Sequence, residues 1–215
     1  MEMVVIGTPQ QFRDCRQKFG EAHAWKHFAQ RHLLDGQADV IFDFDPDPTD
    51  LSVYDQRPDA VVFLEAMHAS VASRLTHRFS YGFCGWPTFL ERALFEVGVP
   101  KVSDGDKLRQ VCAALGTDFQ PVADQTGLVT PRVIAMIVNE AYFAWENNIA
   151  TRADIDLAMQ LGTNYPHGPF AWASRIGTAR IANLLNTLQA ETGNERYRAS
   201  AALIADAAVS PPLGN

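Results

Sequence analysis

Clustered basic residues, paired cysteines and long apolar runs are all scarce in this chain. No stretch of Lys and Arg offsets the acids, which number 25 against 18 bases for a formal net charge of −7, so a nucleic-acid backbone is not the expected partner. Cysteine occurs only as Cys15, Cys84 and Cys112, widely spaced and without a CxxC pair, which predicts free thiols in a reducing compartment. No apolar run reaches the roughly 18 residues of a membrane span, and no N-terminal run is basic and long enough for a signal peptide. Internal repeats are absent as well. The expectation is a cytoplasmic protein that engages neither nucleic acid nor membrane.

The first half carries brief β-branched and aromatic runs alternating with helical stretches. Met3 to Gly7, Ala38 to Phe44, Ala60 to Leu64, Tyr81 to Cys84, Leu94 to Val97 and Asp118 to Val122 read as strands. A helix is predicted from Thr8 or Pro9 through Phe19, with Phe12, Cys15 and Phe19 on one face, and a less regular one over Ala24 to Leu34. Asp104 to Leu115 forms a further helix that stops at Gly116. Between the second and third runs lies DPDPTD, a loop in which Pro46 and Pro48 prevent regular pairing. Such alternation favours an α/β layer with a mostly parallel sheet.

From Gly127 the strand signals cease. In GLVTPRVIAMIVNEAYFAWEN, Val133, Met136, Ile137 and Ala144 fall on one helical face and Ile134, Val138, Ala141 and Trp145 on the next, which places the helix in the middle of a bundle. Thr151 opens another helix with Asp154 three residues on, buried through Ile155, Ala158, Met159 and Leu161 and ended by Gly162. A rigid NYPHGPF turn leads into a short helix from Pro169. A longer one follows Gly177 to near Gly193, striped by Ile181, Leu184, Leu185 and Leu188, and a last one spans Ala201 to Val209. The boundary is expected near residues 122–127, between an α/β unit over 1–124 and a helical unit over 125–215.

The helical half resembles the C-terminal domain of the 3-hydroxyacyl-CoA dehydrogenases. The NEA step at Asn139, the DIDLAMQLGTNYPHGPF stretch and the ETGNERYR stretch follow in the family's order. The resemblance implies a homodimer through this domain and an acyl-CoA site closed against a Rossmann-like domain that binds NAD. It therefore predicts an abbreviated Rossmann-like sheet followed by a helical bundle.

Over the first half the likeness departs where chemistry is expected. The family opens with a strand and a GxGxxG turn whose amides receive the cofactor pyrophosphate. Here the strand runs into Gly7-Thr8-Pro9-Gln10-Gln11-Phe12, and only Gly7 stands in place. Pro9 has no N–H, and Phe12 is large where a small residue faces the sheet. The strand that ends in the ribose-binding acid is expected to be missing, with its neighbouring helices. The family's catalytic histidine and the glutamate twelve residues on fall at Cys84 and Glu96, its asparagine at the start of the long helix falls at Pro131, and its serine and asparagine after the third strand fall near Met67 and Glu65. A thiol with an ordinary pKa near 8.5 beside a carboxylate stays protonated at neutral pH.

Other polar residues carry weaker expectations. His68 and His77 would restore a base if the local fold has shifted. His23 and His27, at i, i+4, suit a metal pair but lack a third ligand. Asp43, Asp45, Asp47 and Asp50 fail the calcium-loop pattern because Pro48 replaces its glycine. His167 is expected at the surface, and Lys101, Lys107 and Arg109 are the bases available to acyl-CoA phosphates. The leading expectation is a degenerate family member with no cofactor and no metal, acting as a structural or acyl-CoA-binding homodimer, in which Glu96 alone is retained. The rivals are an active NAD-dependent dehydrogenase rebuilt around Glu96 and a displaced histidine, and a chain whose missing strands come from a partner.

Overall fold

The computed structural model describes residues 1–100 and 105–209. The chain divides into two compact units, Met1–Leu128 and Val129–Asn215.

The first unit is a seven-stranded sheet in the order β2-β1-β3-β4-β5-β6-β7. The strands are β1 (Glu2–Ile6), β2 (Ala24–Phe28), β3 (Val40–Asp43), β4 (Val61–Glu65), β5 (Ser80–Phe83), β6 (Phe95–Val99) and β7 (Phe119–Ala123). Every pairing is parallel except β5 with β6. This is the mostly parallel, Rossmann-like layer expected from the alternating runs. Parallel strands covered by helices read as continuous apolar runs, as β1, β3 and β4 do. Helix α1 (Pro9–Phe19) and α3 (Gly105–Ala114) supply Cys15, Phe19, Leu108, Val111 and Cys112 to the core. There the rings of Phe42 and Phe63 stack at 4.9 Å, and Phe19 stacks on Phe42 at 4.7 Å. The short α2 (Val71–Arg74) starts on the Asp124 carboxylate, which accepts from the Val71 and Ala72 amides at 2.9 and 2.7 Å.

Two expectations fail here. Ala24 to Leu34 is not a helix, and the strand expected to be missing is present: β2 pairs in parallel along β1 from Glu2↔Ala24 to Ile6↔Phe28. The reason is a period of two. Trp25 and His27 both pack on Phe12 of α1, at 6.2 and 5.2 Å between ring centres, and residues two apart share a face only in a strand. His23 and His27 therefore do not form an i, i+4 helical pair. Only a single 3₁₀ turn, Arg31–Leu33, follows.

The second unit is a bundle of α4 (Thr130–Glu146), α5 (Arg152–Thr163), α6 (Pro169–Ile176), α7 (Thr178–Thr192) and α8 (Ala201–Val209). α7 buries the predicted Ile181, Leu184, Leu185 and Leu188 and ends at left-handed Gly193. The family-like motifs prove to be joints. Asn139 donates to the Arg198 carbonyl and accepts from the Ser200 amide, both at 2.9 Å, so the NEA step fastens the segment after RYR. Asp156 of DID accepts from the Phe170 and Ala171 amides at 2.7 and 3.0 Å, capping α6.

The burial of two helices departs from the sequence expectation. α4 turns Ile134, Ala135, Val138, Ala141 and Tyr142 inward, while Val133 remains 50% exposed and Met136 and Ile137 only half-buried; its second apolar face is left open. α5 buries none of its residues, and Leu161 is 79% exposed. Its role in the bundle runs through Asp156, a polar contact invisible to an apolar pattern. Nor does Gly162 end α5, which continues to Thr163 with Asn164 left-handed as its cap.

Candidate functional site

In open α/β sheets ligands gather at the carboxyl ends of parallel strands, where the strand order reverses. In the first unit the reversal lies between β1 and β3. The residues at that edge are Gly7 and Thr8 after β1, Asp43 and Phe44 at the end of β3, Glu65 at the end of β4 and Cys84 after β5.

The start of α1 is closed upon itself. Thr8 caps the helix through its hydroxyl, which accepts from the Gln11 amide at 3.3 Å, while the Gln11 side-chain oxygen accepts from the Thr8 amide at 2.7 Å. Pro9 adds no donor. Gly7 has φ +154°, and a Cβ built there would lie 2.4 Å from Gln11 Oε1 and 3.2 Å from Phe44 Cβ. The space that glycine leaves is thus taken by Gln11 and Phe44. His27 Nε2 donates to the Gly7 carbonyl at 2.7 Å, a bond that requires the Nε2–H tautomer because a carbonyl only accepts. At the end of β2, where an acid would meet a ribose, stand Phe28, Ala29 and Gln30.

A second closure was not legible in the sequence. Arg31 is 2% exposed. Its Nε donates to Asp43 Oδ2 at 2.8 Å, and its two other nitrogens donate to the carbonyls of Asp45, Asp47 and Thr49 at 2.6–2.9 Å. Asp43 also accepts from the Tyr54 hydroxyl at 2.6 Å and the Asp45 amide at 2.9 Å. Burial and the Asp43 carboxylate push the Tyr54 hydroxyl pKa well above its ordinary value. Arg74 joins from α2, donating to the carbonyls of Glu65 at 2.9 Å and Asp45 at 3.3 Å. The acidic loop is therefore held by two guanidiniums on its backbone. Its carboxylates face local amides, Asp45 accepting from Asp47 and Asp47 from Thr49. Among the described residues no group of three metal-binding side chains occurs.

Cys84 and Glu96 are brought together. β5 and β6 pair in antiparallel sense at Gly82↔Gly98, and two residues further along such a ladder Cys84 stands opposite Glu96. Cys84 is 5% exposed. Its pKa is raised well above the ordinary thiol value by burial, which outweighs the lowering effect of the Trp86 amide; the carboxylates of Glu65 and Glu96 add to the rise. Gly85 lies so close to Phe44 that a Cβ there would meet the ring at 2.5 Å and Glu65 Oε1 at 3.0 Å. Met67 is buried beside this edge and Glu65 is 8% exposed. The loop from Cys84 to Glu96 is pinned to α1 by Lys18, which donates to the Arg92 and Ala93 carbonyls at 2.5 and 2.9 Å; a cleft of about 360 Å³ lies beside it, lined by Trp86, Leu90 and Arg92.

Of the remaining candidates only His68 lies near this edge. His77 donates to the Ala60 carbonyl at 2.8 Å, at the amino-terminal edge of β4 and β5. His68 follows β4 on the site's edge but is exposed, and desolvation and Arg74 lower its pKa. Arg109 is paired with Asp106, and Lys107 lies 5.2 Å over the Phe79 ring. Lys101 and Asp104 lie outside the described residues. In the helical unit Pro131 is buried in the first turn of α4, and half-buried His167 packs edge-on to Trp172 rather than lying free at the surface.

A family model for the C-terminal domain of 3-hydroxyacyl-CoA dehydrogenase matches residues 127–208. The helical unit is homologous to that domain. The 3-hydroxyadipyl-CoA dehydrogenase of Escherichia coli is 48% identical over 83 residues, 39% of this chain. The chain spans 18% of that relative's length. Among solved structures, M. tuberculosis FadB2 superposes with a TM-score of 0.76 over 94% of this chain and 92% of its own, at 14% identity. The (S)-3-hydroxybutyryl-CoA dehydrogenase PaaH1 of Ralstonia eutropha gives 0.73 over 95% and 92%, at 16%. These two establish a shared fold. Kinship with the 3-hydroxyacyl-CoA dehydrogenases is carried by the helical sequence, where Asn139, Asp156 and Gly168 are the residues that build its joints.

Proposed function

We propose that the chain is a cytoplasmic relative of the 3-hydroxyacyl-CoA dehydrogenases that no longer transfers hydride and acts as a structural or acyl-CoA-binding homodimer. The observation that carries this reading is the start of α1. A dinucleotide pyrophosphate needs free amides at a glycine turn and at the helix terminus. Here the Thr8 and Gln11 amides are engaged by one another's side chains, Pro9 has none, and Gln11 and Phe44 occupy the space beside Gly7. These residues do not fit the group. The same reading is supported at Cys84, a buried thiol kept protonated where the family's pattern calls for a base.

Glu65 and Glu96 remain at the edge, so an acyl thioester bound there would meet carboxylates and, at Cys84, a thiol where the family's pattern places its imidazole. The rival reading, a dehydrogenase rebuilt around Glu96 and a displaced histidine, would rest on His68, because His77 is bonded to the Ala60 carbonyl at the opposite edge of the sheet and the buried Cys84 thiol stays protonated at neutral pH. Titrating NADH with the full chain and following its fluorescence separates the two. No saturable change is expected up to millimolar protein. Saturable binding that is lost when Gln10 and Phe12 are replaced by bulkier residues would overturn the proposal. Calorimetry with acetoacetyl-CoA in the absence of nucleotide tests the acyl-binding half.

A further inference from the structure

The cleft between α1 and the loop from Cys84 to Glu96 has a volume of about 360 Å³, within the range of small-molecule sites. Trp86 and Leu90, both buried, give it an apolar wall, and Lys18, Arg92, Asp14 and Glu91 bring charge of both signs. Its donors are not all used by the fold. Trp25 spends its indole N–H on the Gly20 carbonyl at 3.0 Å, whereas the indole N–H of Trp86, a residue 3% exposed, has no acceptor among the described residues. A buried indole ordinarily finds one, and the cleft that Trp86 lines is where an acceptor can reach it. Arg92 has no carboxylate partner among the described residues, and its guanidinium rests 5.8 Å from the Phe89 ring centre. Lys18 spends two of its three N–H bonds on the Arg92 and Ala93 carbonyls and keeps one. The loop is also held under strain: Thr88, on the same cleft, has φ +74°, a conformation that a β-branched residue adopts where its surroundings impose it.

These donors call for an acceptor group of small negative charge. A carboxylate meets the need, because a guanidinium binds it with two parallel N–H bonds and its remaining lone pairs suit an indole. A phosphate suits the cleft less, since the formal charges of Lys18 and Arg92 are cancelled by those of Asp14 and Glu91 and a second negative charge would go uncompensated. The two acids in turn favour an ammonium. We propose that the cleft binds a small zwitterion of the α-amino-acid class with an apolar side chain. Its carboxylate accepts from the Trp86 indole and from Arg92, its ammonium turns to Asp14 and Glu91, and its side chain packs on Trp86 and Leu90. The ligand as a whole then adds no net charge to a cleft that has none.

Nitrogen–proton correlation spectra of the full chain, titrated with L-leucine, test this. Each of the four tryptophans gives one indole signal, and Trp86→Phe identifies its own by the signal that disappears. The Trp86 signal is expected to move saturably, with a Kd of about 1 mM or tighter. Arg92 is exposed, so Arg92→Gln leaves the fold intact and is expected to weaken binding by about tenfold or more. Two truncated probes separate the charges: isocaproate lacks the ammonium and isoamylamine lacks the carboxylate, and each is expected to bind at least about tenfold more weakly than L-leucine. A Trp86 signal unmoved by L-leucine at about 10 mM, or an affinity unchanged in Arg92→Gln, would overturn the site. Isoamylamine binding as tightly as L-leucine would overturn the carboxylate assignment, and isocaproate doing so would overturn the zwitterion.

Discussion

The carboxylate of Asp156 occupies the space that a side chain on residue 168 would need. A Cβ built on Gly168 would lie 2.4–2.5 Å from Asp156 Cγ, Cβ and Oδ1, while the same carboxylate caps α6 through the Phe170 and Ala171 amides. Replacing Asp156 by Ala is expected to cost about 1–2 kcal/mol, as for the loss of a strong helix cap. Gly168→Ala is expected to cost at least as much, because the displaced group sits on a helix rather than at the end of a flexible chain. The double variant should lose clearly less than the sum, since each change removes the other's effect. Urea unfolding of the four proteins checks the cycle, and strict additivity would contradict the joint.

Asn139 bridges α4 to the segment between Arg198 and Ser200. Asn139→Ala leaves the buried Ser200 amide and the partly buried Arg198 carbonyl without that partner, at an expected cost of roughly 1–3 kcal/mol. Asn139→Asp keeps the acceptor for Ser200 but sets a carboxylate against the Arg198 carbonyl, and is expected to be no better. Chemical denaturation followed by tryptophan fluorescence measures both; a loss under half a kcal/mol would show the clamp to be dispensable.

Much of this was legible in the sequence and some was not. Elements with a strong period, such as the Ile181, Leu184, Leu185 and Leu188 stripe of α7, fell where the sequence placed them. β2 did not, because AWKHF is short, polar at an edge, and betrays its strand only through Trp25 and His27 packing on the distant Phe12. The α4 stripes looked equally buried from periodicity, yet a period says which residues share a face and not what covers it. At the site, the altered phosphate turn and Cys84 were readable residue by residue. The Arg31–Asp43–Tyr54 cluster was not, since no local pattern announces that a guanidinium will bind the carbonyls of a loop many residues later.

That cluster yields a third prediction. Arg31→Met removes the partner of the fully buried Asp43 and four charge-assisted bonds, with an expected loss of about 3–5 kcal/mol. Arg31→Lys should not rescue it, because a single ammonium cannot reach Asp43 and three carbonyls together. Thermal unfolding distinguishes the outcomes, and a lysine variant as stable as the parent would contradict the clamp.

Alkaline pH should destabilise the fold. Burial pushes the Cys112 thiol up to about 12, and raises Cys15, Cys84 and the Tyr54 hydroxyl well above their ordinary values, with Asp14, the Glu65–Glu96 pair and Asp43 adding to it respectively. The folded state therefore keeps protons that the unfolded chain releases from about pH 8.5 for thiols and about 10 for tyrosine. Stability is full below those values and falls as pH rises through the window. Urea midpoints between pH 8 and 11 should drop steadily, and less steeply in Cys112→Ala. In the same range the native thiols should resist an aromatic disulfide reagent until the protein unfolds; rapid labelling of Cys84 would mark a reactive thiolate instead.

The central claim is most directly tested by following NADH oxidation with acetoacetyl-CoA over a range of protein concentrations, with Glu96→Gln beside it. The account predicts no rate above the reagent blank for either protein. A rate proportional to the parent protein and lost in Glu96→Gln would contradict it, and would show that hydride transfer runs through a base beside Cys84.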